Sequence, residues 1–545
     1  MDRYLNSKPK KVIKTKTGPK IKKQTKDHLE ISIEYQNTIC QSAYIGKKGY
    51  TISKSLLTKE EYDFLKKDLF VKPQILGASY GADTEASSFP VYRENPNKIY
   101  IPRFYGIQRY GIPNRCDLEP GDDIHLPFAK PLRDYQDKIV GVYTDYVNRP
   151  LCNSIDSIPG SGGILEVPCG RGKTVMALKI ISDISKKALI IVHKEFLMNQ
   201  WIERIQEFLP TAKIGKIQGG TFDVENKDIV IGMIQTIYDK EYPANAFSSF
   251  GITIVDEVHR IGSEQFSRTL FKTITPYMLG ISATVDRKDQ LTKVLYMFIG
   301  EKIYKEDREE DDPVCVRAIR YQCADTEFNE TAVDFRGKAK YSTMITKLCA
   351  FCPRSDFIIR VVRDLISENT GSQIMILCHN RSLLTYLYES IVHQEFATVG
   401  YYVGGMKQAA LQETEGKQIV LATYAMAAEA LDIKTLSILV MVTPKTAITQ
   451  SVGRILRVKH ENPIIVDIVD PHDIFQNQWV QRRRYYKKCN YKMIQCDSNK
   501  YDGENTKWRT LFLPATKNNE VVDDDDEDKI PPAKCLIDVS MFKGL

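Results

Sequence analysis

ILEVPCGRGKTVMALKIISDI, residues 164–184, decides the fold. It opens on an apolar, strand-forming run and closes on apolar residues at helical spacing. Between them stands PCGRGKT (168–174), a glycine-rich turn ending in Gly-Lys-Thr. Strand, glycine loop and helix in that order are what a phosphate-binding loop requires. Gly170 and Gly172 permit tight turns that aim backbone N–H groups at phosphate oxygens, and the N-terminus of the next helix adds partial positive charge. Val167, Pro168, Cys169, Gly170, Arg171, Gly172, Lys173 and Thr174 are therefore the expected nucleotide cradle. Lys173 reaches the β- and γ-phosphates and the Thr174 hydroxyl ligates Mg²⁺. The pattern departs from its usual form at one place, where Val167 stands for the first glycine.

A second run, ITIVD (252–256), ends in Asp256-Glu257-Val258-His259. The carboxyl ends of strands are where open α/β sheets bind ligands. Asp256 is expected to hold Mg²⁺ through water, Glu257 to orient or deprotonate the attacking water, and His259 to link the nucleotide to neighbouring loops. Upstream, in FAKPLRDYQ (128–136), the Gln136 amide offers a donor and an acceptor to the edge of adenine, which selects ATP.

Working outward, residues 126–301 alternate buried strands with helical segments: ILEV, ALIIV (188–192), DIVIG (228–232), ITIVD and MLGIS (278–282). Near-continuous apolar strands joined by helices mean a parallel sheet covered on both faces. Residues 302–345, charged and irregular around YKEDREEDD, read as a linker with an edge strand at VRAIRYQ. A second α/β series spans 346–490: QIMILC (373–378), ATVGYYV (397–403), QIVLAT (418–423), SILVMV (437–442) and PIIVDIV (463–469). The expected fold is thus α/β, two tandem parallel-sheet domains facing across a cleft. Residues 31–125 form a small accessory α+β domain, with strands expected in LEISIEY and KIYIPRFYGI and a helix in TKEEYDFLKKDL. Residues 1–30 are a lysine-rich tail, read as a solvated tail, as an electrostatic arm for nucleic acid or as a localisation signal, and 491–545 are a polar tail holding Asp523–Asp528.

The chain has 545 residues, a net charge of +7 and 43% hydrophobic residues, enough for about three domains with cores of their own. The basic excess suits a nucleic-acid partner. Twelve cysteines are scattered, with one close pair, Cys349 and Cys352, short of the four ligands of a structural zinc site, so reduced thiols are expected. The charged start MDRYLNSKPKK resembles no secretory signal, and no apolar run reaches the roughly 20 residues needed to span a bilayer. A soluble protein of the cytoplasm, or of the nucleus, follows as the expectation.

Further motifs sharpen the reading. SAT occupies Ser282–Thr284, followed by VDRKD; ALIIVHKEFLMNQW (188–201) and MIQT (233–236) follow in their expected places; ATYAMAAEALDI (422–433) and QSVGRILR (450–457) lie in the second unit. With these, residues 128–488 resemble a superfamily 2 helicase of the XPB/UvsW type, in the version carried by nucleocytoplasmic large DNA viruses and related to the poxvirus transcript-release helicase. The resemblance implies tandem RecA-like domains, use of ATP and Mg²⁺, 3′-to-5′ movement on DNA, and a role in transcription termination, repair or replication, with RNA polymerase or transcription factors as further partners. It also assigns Asp432 to the nucleotide ribose, and Ser282 and Thr284 to relaying closure. Ala430, where glycine is usual, and Arg287-Lys288-Asp289, in place of Arg-Glu-Asp, depart from the family pattern.

Arg454 and Arg457 lie one helical turn apart, placed to reach across the cleft and stabilise charge on the transferring phosphoryl group. Gln450, a turn earlier, is expected at the γ-phosphate or attacking water. Gln235, Thr236, Gly405 and Thr423 are the expected phosphate-backbone contacts, although Gly404-Gly405 reads equally as an ordinary tight turn. Arg482 and Arg483 of the basic, tyrosine-bearing helix WVQRRRYYKK (479–488) either join them or belong to a solvated helix covering the second sheet, and both readings can hold. An RNA helicase of the DExH type fits the same motifs. A non-hydrolysing ATP-binding scaffold would lack a hydrolytic group, and Lys173, Asp256, Glu257, Arg454 and Arg457 are all present.

Overall fold

The two series of apolar runs build two separate eight-stranded sheets in the computed structural model. It describes residues 29–72, 88–168, 170–258, 264–285, 291–306, 313–429, 433, 435–446, 448–455, 460 and 462–514.

The N-terminal domain comprises α1 (Ile33–Ser42), β1 (Tyr44–Gly46), β2 (Gly49–Ser53), α2 (Lys59–Asp68), β3 (Phe70–Val71), β4 (Phe89–Pro90), β5 (Arg93–Glu94), β6 (Lys98–Ile101), α3 (Arg103–Tyr110) and β7 (Arg115–Cys116). Its main sheet runs β5-β6-β2-β1-β7. The strand expected in LEISIEY is instead the start of α1. The Ser32 hydroxyl caps the helix by accepting from the Tyr35 N–H at 3.2 Å, and Tyr35 and Ile39, four apart, turn inward while Ile33 stays exposed. KIYIPRFYGI divides at Pro102: strand before it, helix after it, because proline supplies no N–H for a sheet yet suits a helix start. Buried Arg103 donates to the carbonyls of Thr275 and Pro276 at 3.0 Å, and one continuous apolar cluster joins this domain to the first lobe.

The first lobe contains α4 (Asp134–Val147), β8 (Gly162–Glu166), α5 (Lys173–Ile184), β9 (Ala188–Val192), α6 (Glu195–Phe208), β10 (Ile214–Gln218), β11 (Thr221–Phe222), β12 (Ile229–Met233), α7 (Ile234–Asp239), β13 (Ile252–Asp256), α8 (Glu264–Lys272), β14 (Tyr277–Ser282), α9 (Thr292–Ile299) and β15 (Lys302–Lys305). Strand order is β11-β10-β12-β9-β13-β14-β8-β15, parallel except at β11. Every residue of β9 and β13 is buried, which is why these strands read as unbroken apolar runs.

The second lobe contains β16 (Cys315–Arg320), α10 (Thr326–Asn329), α11 (Tyr341–Ala350), α12 (Cys352–Glu368), β17 (Gln373–Cys378), α13 (Arg381–Gln394), β18 (Val399–Tyr402), α14 (Gln408–Glu415), β19 (Ile419–Thr423), α15 (Tyr424–Glu429), β20 (Leu436–Met441), α16 (Thr449–Ile455), β21 (Ile464–Val469), α17 (Asp473–Lys488), β22 (Lys492–Asp497) and β23 (Arg509–Phe512). Its order is β18-β19-β17-β20-β21-β16-β22-β23. Phe196 of α6 packs against the cores of both lobes.

Two boundaries move. The segment 302–345 is not a free linker: β15 completes the first sheet, and VRAIRY lies inside the second, hydrogen-bonded on one side to β21 and on the other to β22. Its arginines hid this, because both leave through ion pairs, Arg317 to Glu368 and Arg320 to Asp497, while Val316, Ala318 and Ile319 are buried. The polar tail expected from 491 begins later, since β22 and β23 extend the second sheet to Phe512.

Candidate nucleotide site

Parallel pairing brings the ends of β8, β13 and β14 to one ridge. Val255 of β13 lies beside Gly280 and Asp256 beside Ile281 of β14, while Ser282 lies beside Glu166 of β8. The glycine loop leaves that ridge from β8 and passes straight into α5. Gly170 and Gly172 have φ of 86° and 81°, a left-handed conformation disfavoured for other residues. At Gly172 a Cβ would also stand 2.3 Å from the Gln136 amide nitrogen.

That amide is part of the loop's support. Gln136 is 6% exposed; its Nε2 donates to the Arg171 carbonyl at 3.0 Å and its Oε1 accepts from the Arg133 N–H at 3.1 Å. One amide proton and one lone pair remain, the pair that an adenine edge needs. Beside it a cavity of about 490 Å³ is lined by Phe128, Lys130, Pro131, Leu132, Asp137 and Lys179. The Arg171 side chain turns away from the cradle, stacked 3.8 Å from the Tyr135 ring centroid and paired with Glu306.

Lys173, the first residue of α5, pairs with Glu257 at 3.2 Å. Glu257 follows β13 with φ of 50°, and its N–H donates to the Ile281 carbonyl at 3.0 Å. The Ser282 hydroxyl sits 3.3 Å from Glu257 Oε2 and donates to the Thr284 carbonyl at 2.7 Å, so a single hydroxyl touches both the acid and the loop after β14. Asp256 is 7% exposed, and its Oδ2 accepts from the indole of Trp201 at 2.9 Å. Burial, with Glu257 alongside, pushes its carboxyl up to about 6. Thr174 is half-buried beside Lys173. Val167 is buried, and its N–H donates to Ser282 at 2.9 Å: an apolar residue closing the strand, where the usual glycine would leave a gap.

Of the remaining expected site residues, Cys169, His259, Asp432 and Arg457 lie outside the described residues, as do the side chains of Gln450 and Arg454. Gln235 and Thr236 begin α7 at the end of β12; Gln235 is exposed and donates to the His193 carbonyl at 3.1 Å, while the Thr236 hydroxyl accepts from the Gly219 N–H at 3.0 Å. In the second lobe Thr423 ends β19 and pairs with Cys378 of β17, and exposed Gly405, φ 89°, follows β18, so these too share one sheet edge.

Arg482 is a correction. It is 1% exposed and bidentate to Asp467 at 2.7 and 2.9 Å, with Tyr486 donating to the same carboxylate at 3.1 Å. It fastens α17 to β21 and cannot reach a nucleic acid. Helical periodicity explains the split: positions 482 and 486 face the sheet, while Arg484 and Lys488 face solvent and Arg483 is half-buried.

Sequence reasoning missed Trp201, Tyr135 and Glu306. Leu197, Trp201 and Ile205 sit at helical spacing and read as core, and Glu306 lay in the segment read as linker. Only Gln136, the next residue in the chain, carried a signal that Tyr135 was near.

A family model described as Type III restriction enzyme, res subunit, matches residues 129–287. A protein of Acanthamoeba polyphaga mimivirus, named as an ATP-dependent RNA helicase, is 33% identical over 467 residues, covering 82% of this chain and 85% of its own. A similarly named African swine fever virus protein is 27% identical over 395 residues, covering 68% of this chain and 74% of its own. The DNA 3′-5′ translocase XPB2 of Sulfurisphaera tokodaii is 29% identical over 215 residues, covering 38% and 44%. Two parallel-sheet lobes, a phosphate loop facing an acidic pair, and these relatives agree: the chain belongs to the superfamily 2 helicases, in the branch of the large-DNA-virus ATP-dependent helicases and XPB, and is an ATP-hydrolysing enzyme of that family.

Proposed function

We propose that the chain is a translocase that couples Mg²⁺-dependent ATP hydrolysis to 3′-to-5′ movement along DNA. The observation that carries its hydrolytic step is the Lys173–Glu257 ion pair at 3.2 Å, with Asp256 and Ser282 beside it. A phosphate-binding cation and the acid that acts on water hold each other where a γ-phosphate would part them. The donor set fits Mg²⁺: a hard cation that keeps most of its waters needs a carboxylate, here Asp256, and a hydroxyl, here Thr174, the phosphates supplying the rest. Bound there, the ion would neutralise charge developing on the phosphates.

In this reading Gln136 gives its spare donor and acceptor to adenine, and Asp432 meets the ribose. Arg454 and Arg457 complete the pocket from the second lobe with Gln450 beside the water, so that catalysis requires closure. Thr284 and His259 pass that closure to the track, formed by Gln235, Thr236, Gly405, Thr423 and Arg483. The name of the Sulfurisphaera relative supports DNA. The mimivirus relative's name supports RNA as a second reading. The viral relatives favour work in the host cytoplasm or virion, beside an RNA polymerase at transcript release, or in repair or replication; co-purification with the polymerase tests this.

The deciding experiment is the ATPase rate with single-stranded DNA, duplex DNA or RNA. Stimulation by DNA supports the reading, and stimulation by RNA alone replaces it with an RNA helicase.

A further inference from the structure

The stretch ALIIVHKEFLMNQW ends inside α6, and its last residue holds the Asp256 carboxylate of β13. Trp201 is 2% exposed, and its Nε1 donates to Asp256 Oδ2 across 2.9 Å. The ring lies in the apolar core of the first lobe with Met176, Met198 and Ile205. An indole N–H donates one hydrogen bond and accepts none. Turning the Asp256 carboxylate away would therefore leave a buried donor without a partner, which is costly. One oxygen is held by the indole, so the direction of the carboxylate is set by a rigid ring.

We infer that Trp201 is a positioning residue: it fixes the Asp256 carboxylate in the orientation that receives the nucleotide-bound Mg²⁺. The inference rests on the reading of Asp256 as the metal carboxylate. It places Trp201 outside the reacting atoms, acting through Asp256 alone. Partners of this kind around a metal site set affinity by about 10- to 100-fold.

The test uses the full chain and Trp201→Phe, which keeps an aromatic ring in the core and removes the donor. Binding of radiolabelled ADP is measured in EDTA and across a Mg²⁺ titration. The expected result is unchanged affinity in EDTA with a Mg²⁺ half-saturation raised about tenfold or more. A half-saturation within about twofold of wild type overturns the inference, since a packing role alone lowers thermal stability without touching the Mg²⁺ dependence.

A second measurement leaves Trp201 in place. The chain has three tryptophans, so Trp479→Phe with Trp508→Phe makes Trp201 the sole tryptophan, read with excitation selective for indole over the 29 tyrosines. Its fluorescence is expected to change when Mg²⁺ is added to the ADP complex; an unchanged spectrum also overturns the inference. Wild-type nucleotide binding indifferent to Mg²⁺ would instead fell the metal assignment of Asp256, and this inference with it.

Discussion

Glu257→Gln is expected to tighten ATP binding while stopping turnover. Lys173 and Glu257 lie 3.2 Å apart, with side chains only 12% and 21% exposed. At an effective dielectric of about 20, unit charges at that distance attract by about 5 kcal/mol. Desolvation of both groups offsets most of this, leaving a net of about 1–2 kcal/mol. The nucleotide must break that pair before Lys173 can meet its phosphates, and it must then tolerate the Glu257 charge beside them. Glutamine removes the competitor and the repulsion together. ATP affinity should rise about 5- to 30-fold. Hydrolysis should fall at least about 100-fold, the usual contribution of a general base. Isothermal titration with Mg²⁺-ATP reads the first effect and phosphate release the second. Affinity unchanged or weakened would mean that the ion pair does not compete with nucleotide. Unchanged turnover would remove Glu257 as the base.

Three further outcomes follow from the same geometry, and a fourth, at Arg457, from the proposed closure of the two lobes. Asp256, raised to about 6 by burial, takes up a proton more readily folded than unfolded, so falling pH stabilises the fold through this group while displacing Mg²⁺. The Mg²⁺ half-saturation should therefore climb as pH drops below about 6, and a flat profile between about pH 5 and 7 would refute this. Gly172→Ala places a Cβ 2.3 Å from the Gln136 amide at a φ of 81°, at a strain of about 1–2 kcal/mol, and should weaken ATP binding about tenfold. Equal affinity by titration would show that the loop relaxes freely. Arg482→Ala leaves the Asp467 carboxylate buried without its guanidinium, which should cost about 3–5 kcal/mol in urea unfolding, whereas Arg483→Ala should cost less and lower the salt dependence of DNA binding. Arg457→Ala should retain ATP binding and lose about 1,000-fold in turnover, and a wild-type rate would remove the second lobe from the reaction.

Local rules made much of this protein legible. Strands such as ALIIV and ITIVD match their sequence runs residue for residue, because a strand covered on both faces leaves a run that is apolar without a break. The loop Gly170–Thr174 was legible because its chemistry needs residues adjacent in the chain. Legibility failed where the partner was distant. LEISIEY alternates like a strand, and only the Ser32 cap and the inward turn of Tyr35 and Ile39 make it a helix. VRAIRYQ carries two arginines like an edge, yet Glu368 and Asp497 let it lie inside a sheet. Arg482 read as a surface cation until Asp467, fifteen residues back, met it in the core.

The sequence by itself determined the chemistry of the nucleotide and the family, since loop, acid and helix residues act through short, ordered motifs. Tertiary structure alone decided which groups hold those residues in place. Trp201 on Asp256, Gln136 under the glycine loop and Glu306 on Arg171 are pairs separated by 55, 35 and 135 positions. No local pattern records such a pair, because its energy exists only once parallel strands have brought their carboxyl ends to one ridge.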